Sequence, residues 1–439
     1  MSGFMNEQHF PFKTSFWHTE KPPAGFRLEG DIDADIAVIG GGFAGLSSAR
    51  AIHDADPSLR IVLIESEYIG YGASGRNGGF VAPIIHNAAS VAKQFGWDEA
   101  RWMARYLIRQ AIELKKFIQH EGIECEYRPS PLITTAVNKN EECRLKHHSE
   151  ELSRCGLEVE VLTRKQLSGM LGYPVRAAIR QSEEGFALLQ PYHLARGLRS
   201  ALIRRGVQVY ERTRIIGFKA GDDRVELFTD AGAKITARKV VMATSAYTKQ
   251  LGWGRYRLFP MCIHSYILAT EPLDKTTLER LGPGLTEAST IDARTEFTYV
   301  RTYHDRLLWG GGSAGAFFTK PGEEDDRNMA CFKKGRAEMI ERFPFLANTR
   351  LEAAWGGPIQ TTLTTFPIVR PFDDFQNVIL NIGYSNGVPF AHLAGNLAAG
   401  LVLGSQHADP DAERLRHIFN TTRLSPGSFL KLGLEILIG

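Results

Sequence analysis

The sequence lacks the features that mark several broad classes of protein. No apolar stretch approaches the length of a membrane-spanning helix, about 20 residues, and the first thirty residues contain no apolar run of the secretory type. The formal net charge is only +3, without a long basic run, which argues against nucleic acid as a partner. The five cysteines are scattered and odd in number, which is typical of a reducing compartment. We therefore expect a soluble, cytoplasmic protein.

The residues that are abundant point to a large, layered fold. Hydrophobic residues make up 43% of the 439 positions, enough for a sizeable core and more than one domain. Strand, helix and strand patterns alternate at 35–41, 43–54 and 60–65, and a long amphipathic helix is predicted at 98–120. Residues 260–312 are mainly of β type. The patterns predict an α/β layer and a second, β-rich part.

A glycine-rich turn joins the first predicted strand to the first predicted helix. In AVIGGGFAGL, Gly40, Gly42 and Gly45 follow the G-x-G-x-x-G pattern of dinucleotide-binding proteins. Gly40 permits the tight turn, Gly42 lets the backbone approach a pyrophosphate, and Gly45 lets the helix pack closely. Glu65, at the end of the second strand, would accept hydrogen bonds from a ribose diol. The turn predicts an ADP-containing cofactor but does not separate NAD from FAD.

A second glycine-rich segment, YGASGRNGGF at 71–80, favours FAD. Its glycines leave backbone N–H groups uncovered, and the ribityl chain and ring of a flavin need a second run of backbone to lie against. Ser74 and Asn77 can donate to phosphate or ring oxygens. Arg76 either pairs with a phosphate or holds the loop through a carboxylate, and the sequence leaves both open.

The segments IGGGFAGL, IVLIE and GASGRNGGF resemble the D-amino-acid-oxidase/glycine-oxidase superfamily of FAD-dependent oxidoreductases, especially its γ-glutamylputrescine-oxidase-like branch. The resemblance extends along most of the chain. It implies a Rossmann-like FAD-binding domain of the glutathione-reductase type (α/β) with an inserted antiparallel β-sheet substrate domain (α+β). The FAD-binding domain is predicted to be discontinuous, with an N-terminal arm at 1–30, FAD-binding segments at 31–90, 181–255 and 345–439, and substrate-binding segments at 91–180 and 256–344.

The motifs and the resemblance together predict a set of cofactor-binding residues. Ile215 is included because it is similar to a position that contacts adenine through its backbone, and the helix near Val388 because its N-terminus would face the pyrimidine edge of the flavin. The full predicted set is Gly40, Gly42, Phe43, Ala44, Gly45, Glu65, Ser74, Arg76, Asn77, Gly78, Gly79, Ile215, Gly383, Gly387 and Val388.

Three positions depart from the pattern of this superfamily. Gly357 or a neighbour stands where some relatives attach FAD to a cysteine, so FAD is expected to be non-covalent. Ile359 stands nearest to an arginine that clamps the substrate carboxylate in amino-acid oxidases, which favours an amine, or an acid whose carboxylate lies elsewhere. Leu308 stands where some sarcosine oxidases carry an oxygen-activating lysine, which leaves the electron acceptor open.

The segment GYSNG at 383–387 raises a hydrolase alternative, because it fits the G-x-S-x-G nucleophile elbow between a strand and a helix. A triad would need Ser385, Asp409 and His417. Too few residues follow Ser385 for the remainder of that fold, and the N-terminal glycine turn would stay unexplained. The flavin interpretation is therefore favoured.

Substrate contacts are expected from the second sheet. Tyr299 and His264 are the predicted catalytic residues, because the superfamily lays such a sheet over the flavin ring; a plain packing role for each is the alternative. Arg301 would bind a distal carboxylate or an internal acid. Cys143, His147, His148 and Cys155 lie on and after a charged helix, which indicates a solvated helix face and no metal site.

The resemblance implies oxidation of a C–N bond of a primary or secondary amine, such as a polyamine derivative, or of an amino acid. A hydride would pass to flavin N5, the imine would hydrolyse to an aldehyde or ketone, and O2 would reoxidise the flavin. Two alternatives stay open: a membrane-linked dehydrogenase that passes electrons to quinone, with the apolar segment 429–439 on the membrane, and a flavin-binding protein without turnover. The substrate and the oligomeric state are not predicted.

Overall fold

A computed structural model of the chain describes residues 10–18, 25–85, 88–251, 261–294, 296–311, 315–317, 322, 324–362, 364–372, 375–404 and 409–422. The strands are β1 (Ile32–Ile39), β2 (Ile61–Ile64), β3 (Phe80–Val81), β4 (Arg128–Pro129), β5 (Leu132–Ala136), β6 (Val159–Val161), β7 (Ala177–Gln181), β8 (Ala187–Leu188), β9 (Gln208–Tyr210), β10 (Ile215–Ala220), β11 (Val225–Thr229), β12 (Lys234–Met242), β13 (Met261–Thr270), β14 (Ser289–Asp292), β15 (Thr298–Tyr303), β16 (Arg306–Gly311), β17 (Gly315–Phe317), β18 (Leu351–Thr361), β19 (Ile368–Phe372) and β20 (Phe375–Ile382). The helices are α1 (Phe43–Ala55), α2 (Ala88–Phe95), α3 (Trp97–His120), α4 (Lys139–Arg154), α5 (Arg164–Leu167), α6 (Pro191–Arg204), α7 (Lys275–Leu281), α8 (Pro283–Thr286), α9 (Met329–Arg342), α10 (Gly387–Leu403) and α11 (Pro410–Thr421).

The first sheet has the order β10-β11-β12-β1-β2-β9, with β20 beside β12 and β19 beside β20. Its centre, β9, β2, β1, β12 and β20, is parallel. Parallel strands are covered on both faces, and their sequences are therefore continuously apolar, as in the fully buried β2. This layer is the predicted Rossmann-like part of the α/β fold.

The second sheet has the order β17-β13-β16-β15-β14-β5-β7-β6, with β18 beside β13. Its pairs are antiparallel except for β14 and β5. The predicted antiparallel substrate sheet is therefore present, and one parallel pair joins its two chain segments. The small third sheet, β3-β8-β4, lies outside both.

Strand pairing and helix packing differ from the predicted domain assignment at two places. β18 pairs with β13 along nearly its whole length, so residues 351–361 belong to the second sheet and not to the FAD-binding layer. Conversely, Ala111, Leu114 and Ile118 of α3 pack into the core of the first layer, although residues 91–180 were assigned to the substrate domain. Strand pairing and helix packing, which join distant segments, decide both cases.

Helices α1 and α10 come from opposite ends of the chain and touch through their backbones. A Cβ added at Gly395 would lie 2.2 Å from the carbonyl oxygen of Ser47. Asn381, at the end of β20, donates to Ser48 Oγ and to the carbonyl of Ala394, both at 3.0 Å. The C-terminal strand and helix are thus fixed to the N-terminal strand–helix unit.

The described part of the N-terminal arm is tightly packed rather than loose. Phe12 forms a bridge with Ala354 of β18, and Phe16 and Trp17 are buried. The indole N–H of Trp17 donates to the carbonyl of Asn77 at 2.7 Å, and Ser15 Oγ donates to the carbonyl of Gly75 at 2.9 Å. Residues 10–18 therefore connect the second sheet to the glycine-rich segment 71–80.

Candidate functional site

A large cavity lies between the two sheets. Its volume is about 1040 Å³, which is at the upper end of small-molecule sites, about 300–1,000 Å³. One end is lined by the glycine turn and Glu65, the middle by segment 71–80 and β18, and the other end by the face of the second sheet. Such a cavity is large enough for a dinucleotide and a substrate together.

The glycine turn has the geometry that its pattern predicts. Gly40 has φ of +112°, in the region that favours glycine. A Cβ at Gly45 would lie 1.9 Å from the carbonyl oxygen of Gly40, so only glycine lets α1 start this close to the turn. Gly42 faces the cavity, where a Cβ would approach Ser74 Oγ at 3.0 Å. The backbone is thus open to a ligand at Gly42.

Glu65 stands at the cavity beside this turn. Its Oε2 accepts the N–H of Gly41 at 2.6 Å, and its Oε1 accepts the N–H of Glu67 at 2.9 Å. Burial raises the pKa of Glu65, against the lowering effect of these hydrogen bonds. A carboxylate fixed in this way retains lone pairs for the hydroxyl groups of a ribose.

The N-termini of two helices open on the same cavity, where Ser74 Oγ accepts one N–H of α1, that of Phe43, and the other N–H groups of the first turn remain. The N-cap residues are Gly42 for α1 and Asn386 for α10, and neither side chain makes a capping hydrogen bond. A Cβ at Gly387, the first residue of α10, would meet no atom within 4 Å. Unpaired N–H groups and the positive end of the helix dipole favour an anionic ligand at each end. The residues present therefore fit FAD, and a pyrophosphate at α1 and the flavin pyrimidine edge at α10 stay predictions.

Within segment 71–80, Ser74 and Asn77 hold the backbone in place. Ser74 Oγ accepts the N–H of Phe43 at 2.9 Å, which joins the segment to α1. The Asn77 amide donates to the carbonyl of Ala73 at 3.0 Å and accepts the N–H of Gly79 at 2.8 Å. Both residues also line the cavity, so contact with the cofactor stays a prediction for each.

Arg76 is 4% exposed and holds the segment through a carboxylate. Its Nη1 lies 2.7 Å from Asp326 Oδ2, and its Nε donates to the carbonyl of Tyr71 at 2.7 Å. Nη1 also donates to the carbonyl of Gly356 at 3.2 Å. Of the two roles left open by the sequence, the structure places Arg76 in the ion pair.

Arg301 has a different role from either predicted one. Its Nη1 donates to the carbonyls of Gly78 at 3.1 Å and Leu189 at 2.9 Å. Burial lowers its pKa to about 9. Among the described residues no carboxylate lies within ion-pair distance of Arg301. Its charge is satisfied by backbone oxygens of the glycine-rich segment, whose trace the sequence alone does not give.

Tyr299 lies at the cavity, next to the glycine-rich segment. A Cβ at Gly78 would lie 2.8 Å from Tyr299 Cε2, and the phenol oxygen is 3.1 Å from Ser265 Oγ. Phe80 meets the ring edge to face at 5.6 Å. Burial raises the pKa of Tyr299 to about 12, so the phenol stays protonated at neutral pH. The prediction of a pocket position for Tyr299 is consistent with this geometry.

His264 occupies the opposite face of its strand. Ile263, Ser265 and Ile267 line the cavity, whereas the His264 ring is fully buried with its Nε2 3.3 Å from Asp326 Oδ1. The period of two in β13 therefore directs His264 away from the cavity and toward the Arg76–Asp326 pair. The geometry does not support the predicted catalytic position of His264; it supports a positioning role.

Of the remaining predicted cofactor positions, Ile215, Gly387 and Val388 line the cavity, whereas Gly79 and Gly383 are not part of its lining. Ile215, at the start of β10, lines it beside Glu65, and Val388 lines it at the start of α10. Gly383 follows β20 with φ of +89°. Gly357 and Ile359 also line the cavity, whereas Leu308 is buried among apolar side chains of the second sheet.

The hydrolase alternative does not assemble. The strand–turn–helix around Ser385 is present, but Asp409 caps α11 and accepts the Tyr106 hydroxyl at 3.1 Å. The His417 ring packs against Phe95 at 6.0 Å.

Across the described residues, no group of three or more His, Cys, Asp or Glu side chains could hold a metal ion. The apolar segment 429–439 lies outside the described residues.

Sequence reasoning missed several residues at the cavity. Arg144 and His148, one turn apart on α4, line it, although this helix was interpreted as a solvated face. Asp326 lines it as the partner of Arg76. The spacing of Arg144, Leu145 and His148 on one helix face was the available signal, but the sequence does not show which sheet that face meets.

The comparisons with known proteins agree with this geometry. The family described as "DAO: FAD dependent oxidoreductase" matches residues 35–401. Gamma-glutamylputrescine oxidoreductase of Escherichia coli K12 is 29% identical over 88% of this chain and 86% of that protein. Glycine oxidase of Pseudomonas aeruginosa is 23% identical over 84% of this chain and 95% of that protein.

Solved structures show the same fold at low sequence identity. Glycine oxidase from Geobacillus kaustophilus superposes with a TM-score of 0.68 at 19% identity, over 86% of this chain and 95% of that one. L-proline dehydrogenase from P. horikoshii gives a TM-score of 0.70 at 18% identity, over 91% of this chain and all of that one. The chain therefore belongs to the DAO family of FAD-dependent oxidoreductases.

Proposed function

We propose that this enzyme oxidises a C–N bond of a primary or secondary amine. The observation that carries the proposal is the sheet face at the cavity, where Ile263 and Ile267 are part of the lining and Tyr299 lies next to Gly78 of the glycine-rich segment. Relatives whose names specify an amine or amino-acid substrate support it, including the gamma-glutamylputrescine and glycine enzymes.

The surroundings suit an amine that must be neutral to react. Bound FAD supplies the hydride acceptor in this family of reactions. An apolar pocket lowers the pKa of an amine by desolvation, which favours the neutral form without a dedicated base. Tyr299 stays protonated at neutral pH and can donate or accept a hydrogen bond, so its proposed role is to orient the substrate.

The side chains that line the cavity argue against an α-amino acid whose carboxylate is bound by an arginine at the position of Ile359. Ile359 lines the cavity on β18 and offers no charge. Arg301, on β15 of the second sheet, is already bound to the carbonyls of Gly78 and Leu189. An α-carboxylate next to the reacting carbon would therefore lose its bidentate partner.

For the electron acceptor we propose O2, with hydrolysis of the imine product to an aldehyde or ketone. The quinone alternative depends on the apolar segment 429–439, which lies outside the described residues. Among the described residues, no helix is long and apolar enough to cross a membrane.

The test is anaerobic mixing of the purified yellow protein with amines and amino acids. Bleaching of the visible flavin absorption by amines, but weakly by α-amino acids of similar size, is the expected result. Readmission of air should then restore the absorption and release one peroxide per bleached flavin. A panel in which nothing bleaches the flavin would contradict the proposal, and restoration only by a quinone would contradict the choice of acceptor.

A further inference from the structure

The cavity extends well beyond the place where the glycine-rich segment meets the second sheet. From β13 it continues along one face of the sheet through Gly311, Tyr299, Ile291 and Thr134. These residues stand on adjacent strands, in the order β13, β16, β15, β14 and β5. With about 4.8 Å between neighbouring strands, the trough runs about 10 Å from Tyr299 on β15 to β5.

Helix α4 closes this trough at its far end. Leu145 and Leu152 of α4 pack with Ala136 of β5 and Ile179 of β7. Because Leu132, Thr134 and Ala136 share one face of β5, α4 lies on the same face as the cavity. Arg144, Leu145 and His148 of this helix line the cavity there. The trough is therefore bounded by segment 71–80 at one end and by α4 at the other.

The arginines that line the cavity differ in their partners. Arg76 pairs with Asp326 at 2.7 Å, Arg214 with Glu67 at 2.7 Å, and Arg294 with Asp292 at 2.8 Å. Arg144 donates through Nε to the carbonyl of Ala293 at 2.8 Å and, within the described part of the chain, makes no ion pair.

Other charged and titratable groups surround Arg144 at this end of the cavity. Arg294 is further neutralised by Glu338 at 3.0 Å. Glu296 also lines the cavity and brings a negative charge to it. Burial lowers the pKa of His148, which keeps its ring neutral at pH 7. Arg144, an exposed side chain, is thus the cavity-lining arginine that makes no ion pair among the described residues, and its Nε hydrogen bond fixes the guanidinium.

We propose that Arg144 binds the carboxylate of an elongated substrate whose reacting amine lies beside Tyr299. This rests on the proposed function and deepens it, because it names the substrate class: an amine with a carboxylate about 10 Å away along an extended chain. A guanidinium fixed through Nε presents its Nη groups to an anion. The cavity has no charge at Ile359, close to the reacting amine, and has a positive charge at Arg144. The residue that binds the substrate carboxylate would therefore lie at the α4 end of the trough.

The test compares a matched pair of substrates, 8-aminooctanoate and its neutral analogue 8-aminooctanamide, by the rate of anaerobic flavin bleaching. The wild-type enzyme should have a kcat/KM at least about tenfold higher for the acid, as expected for a hydrogen-bonded ion pair. Arg144→Gln should remove that preference mainly through KM. Arg144→Lys should retain part of it, because a charge remains without the planar guanidinium.

A control variant comes from the same helix. Lys146→Gln removes an exposed charge from α4 that does not line the cavity, and should keep the preference for the acid. An equal loss of kcat/KM for the acid and the amide in Arg144→Gln would overturn the assignment. So would loss of the preference for the acid in Lys146→Gln. Thermal unfolding and the flavin spectrum verify that each variant is folded and loaded.

Calorimetric titration with hexanoate and hexanamide provides a readout that needs no turnover. Tighter binding of hexanoate, abolished in Arg144→Gln, is expected, and equal binding of the two ligands would overturn the assignment. If no amine bleaches the flavin, the proposed function fails, whereas the calorimetric comparison still decides on the anion site.

Discussion

At the scale of single residues, Gly45 shows how little room the cofactor turn leaves. Any Cβ there would meet the carbonyl of Gly40 at 1.9 Å, and backbone atoms cannot move aside as a side chain can. We expect Gly45→Ala to lower the unfolding free energy of the apoprotein by about 2–3 kcal/mol, through overpacking. Urea denaturation of the FAD-free protein measures this directly.

The control for that substitution is Gly30→Ala. Gly30 is exposed, and a Cβ there meets nothing within 4 Å. Its effect should stay within about 0.5 kcal/mol. Similar stabilities for the two variants would contradict the role of Gly45 as a contact between turn and helix.

The burial of His18 next to the glycine-rich segment should make the stability of the folded protein depend on pH. Burial, with Arg76 second, lowers its pKa from the ordinary 6.5 to about 4. Below pH 6.5 the unfolded chain binds a proton that the folded protein excludes, so stability should fall as the pH drops from 6.5 toward 4. His392, whose pKa is lowered to about 3 by burial, acts in the same direction. His18→Gln should make the fall shallower without abolishing it.

The measurement is the unfolding free energy of the apoprotein at several pH values between 4 and 7. His120→Gln is the control, because the side chain of His120 is 84% exposed. An unchanged slope in His18→Gln, or an equal change in His120→Gln, would show that His18 does not cause the dependence.

Whether the role of a residue could be predicted from the sequence depended on how far away in the chain its partners lie. The glycine turn and Glu65 were identified from the sequence because their partners lie within one strand–helix–strand unit. The roles of Arg76, Arg301 and His264 were not, because Asp326 and the carbonyl of Leu189 are far away in the chain. A charged side chain in a motif does not show which distant group will satisfy it.

At the scale of elements, residues 10–18 act as a buttress for the glycine-rich segment. Trp17, 1% exposed, packs edge to face against Tyr303 at 4.8 Å and donates to the carbonyl of Asn77. Gln190 donates in turn to the carbonyl of Trp17 at 3.1 Å. The predicted cofactor-binding segment is thus supported by residues 10–18, none of which lines the cavity.

We expect Trp17→Ala to lower the stability by about 3–5 kcal/mol, the usual effect of emptying a large buried aromatic site. It should also raise the Kd for FAD, because segment 71–80 loses its support. Quenching of FAD fluorescence on titration with apoprotein measures the Kd. Phe26→Ala, at a position 75% exposed, serves as the control. An unchanged Kd in a folded Trp17→Ala protein would contradict the buttress role.

Periodicity predicted most elements of the first layer. The predicted strand at 35–41 and helix at 43–54 correspond to β1 and α1, and the helix at 98–120 to α3. Neither the packing of the N-terminal segment nor the membership of β18 in the second sheet followed from it. Both depend on pairing between β18 and partners distant in sequence, which local periodicity does not encode.

At the scale of the whole molecule, the two sheets are joined by buried polar contacts as well as by apolar packing. Arg76 comes from the glycine-rich segment and Asp326 from the stretch before α9, and the two meet at 2.7 Å with little exposure. His264 of the second sheet completes the cluster. Removal of one partner from such a pair leaves an uncompensated buried charge.

A double-mutant cycle tests this connection. Asp326→Asn should cost about 3 kcal/mol, and Arg76→Gln with Asp326→Asn should cost less than the two single changes together, with a coupling above about 1 kcal/mol. The exposed pair Glu113–Lys116 should give a coupling below about 0.5 kcal/mol in the same assay. Additive effects at Arg76 and Asp326 would show that the pair does not couple the two sheets.

The contact of α1 with α10 has a consequence for the order of events in the cell. The walls of the cavity come from segments far apart in the sequence, since β20 pairs with β12 and Gly395 of α10 contacts Ser47 of α1. A nascent chain that has emerged only as far as α9 lacks one of those walls. We therefore expect flavin capture only after the residues of α10 have been synthesised, and a product truncated before β20 should be released colourless.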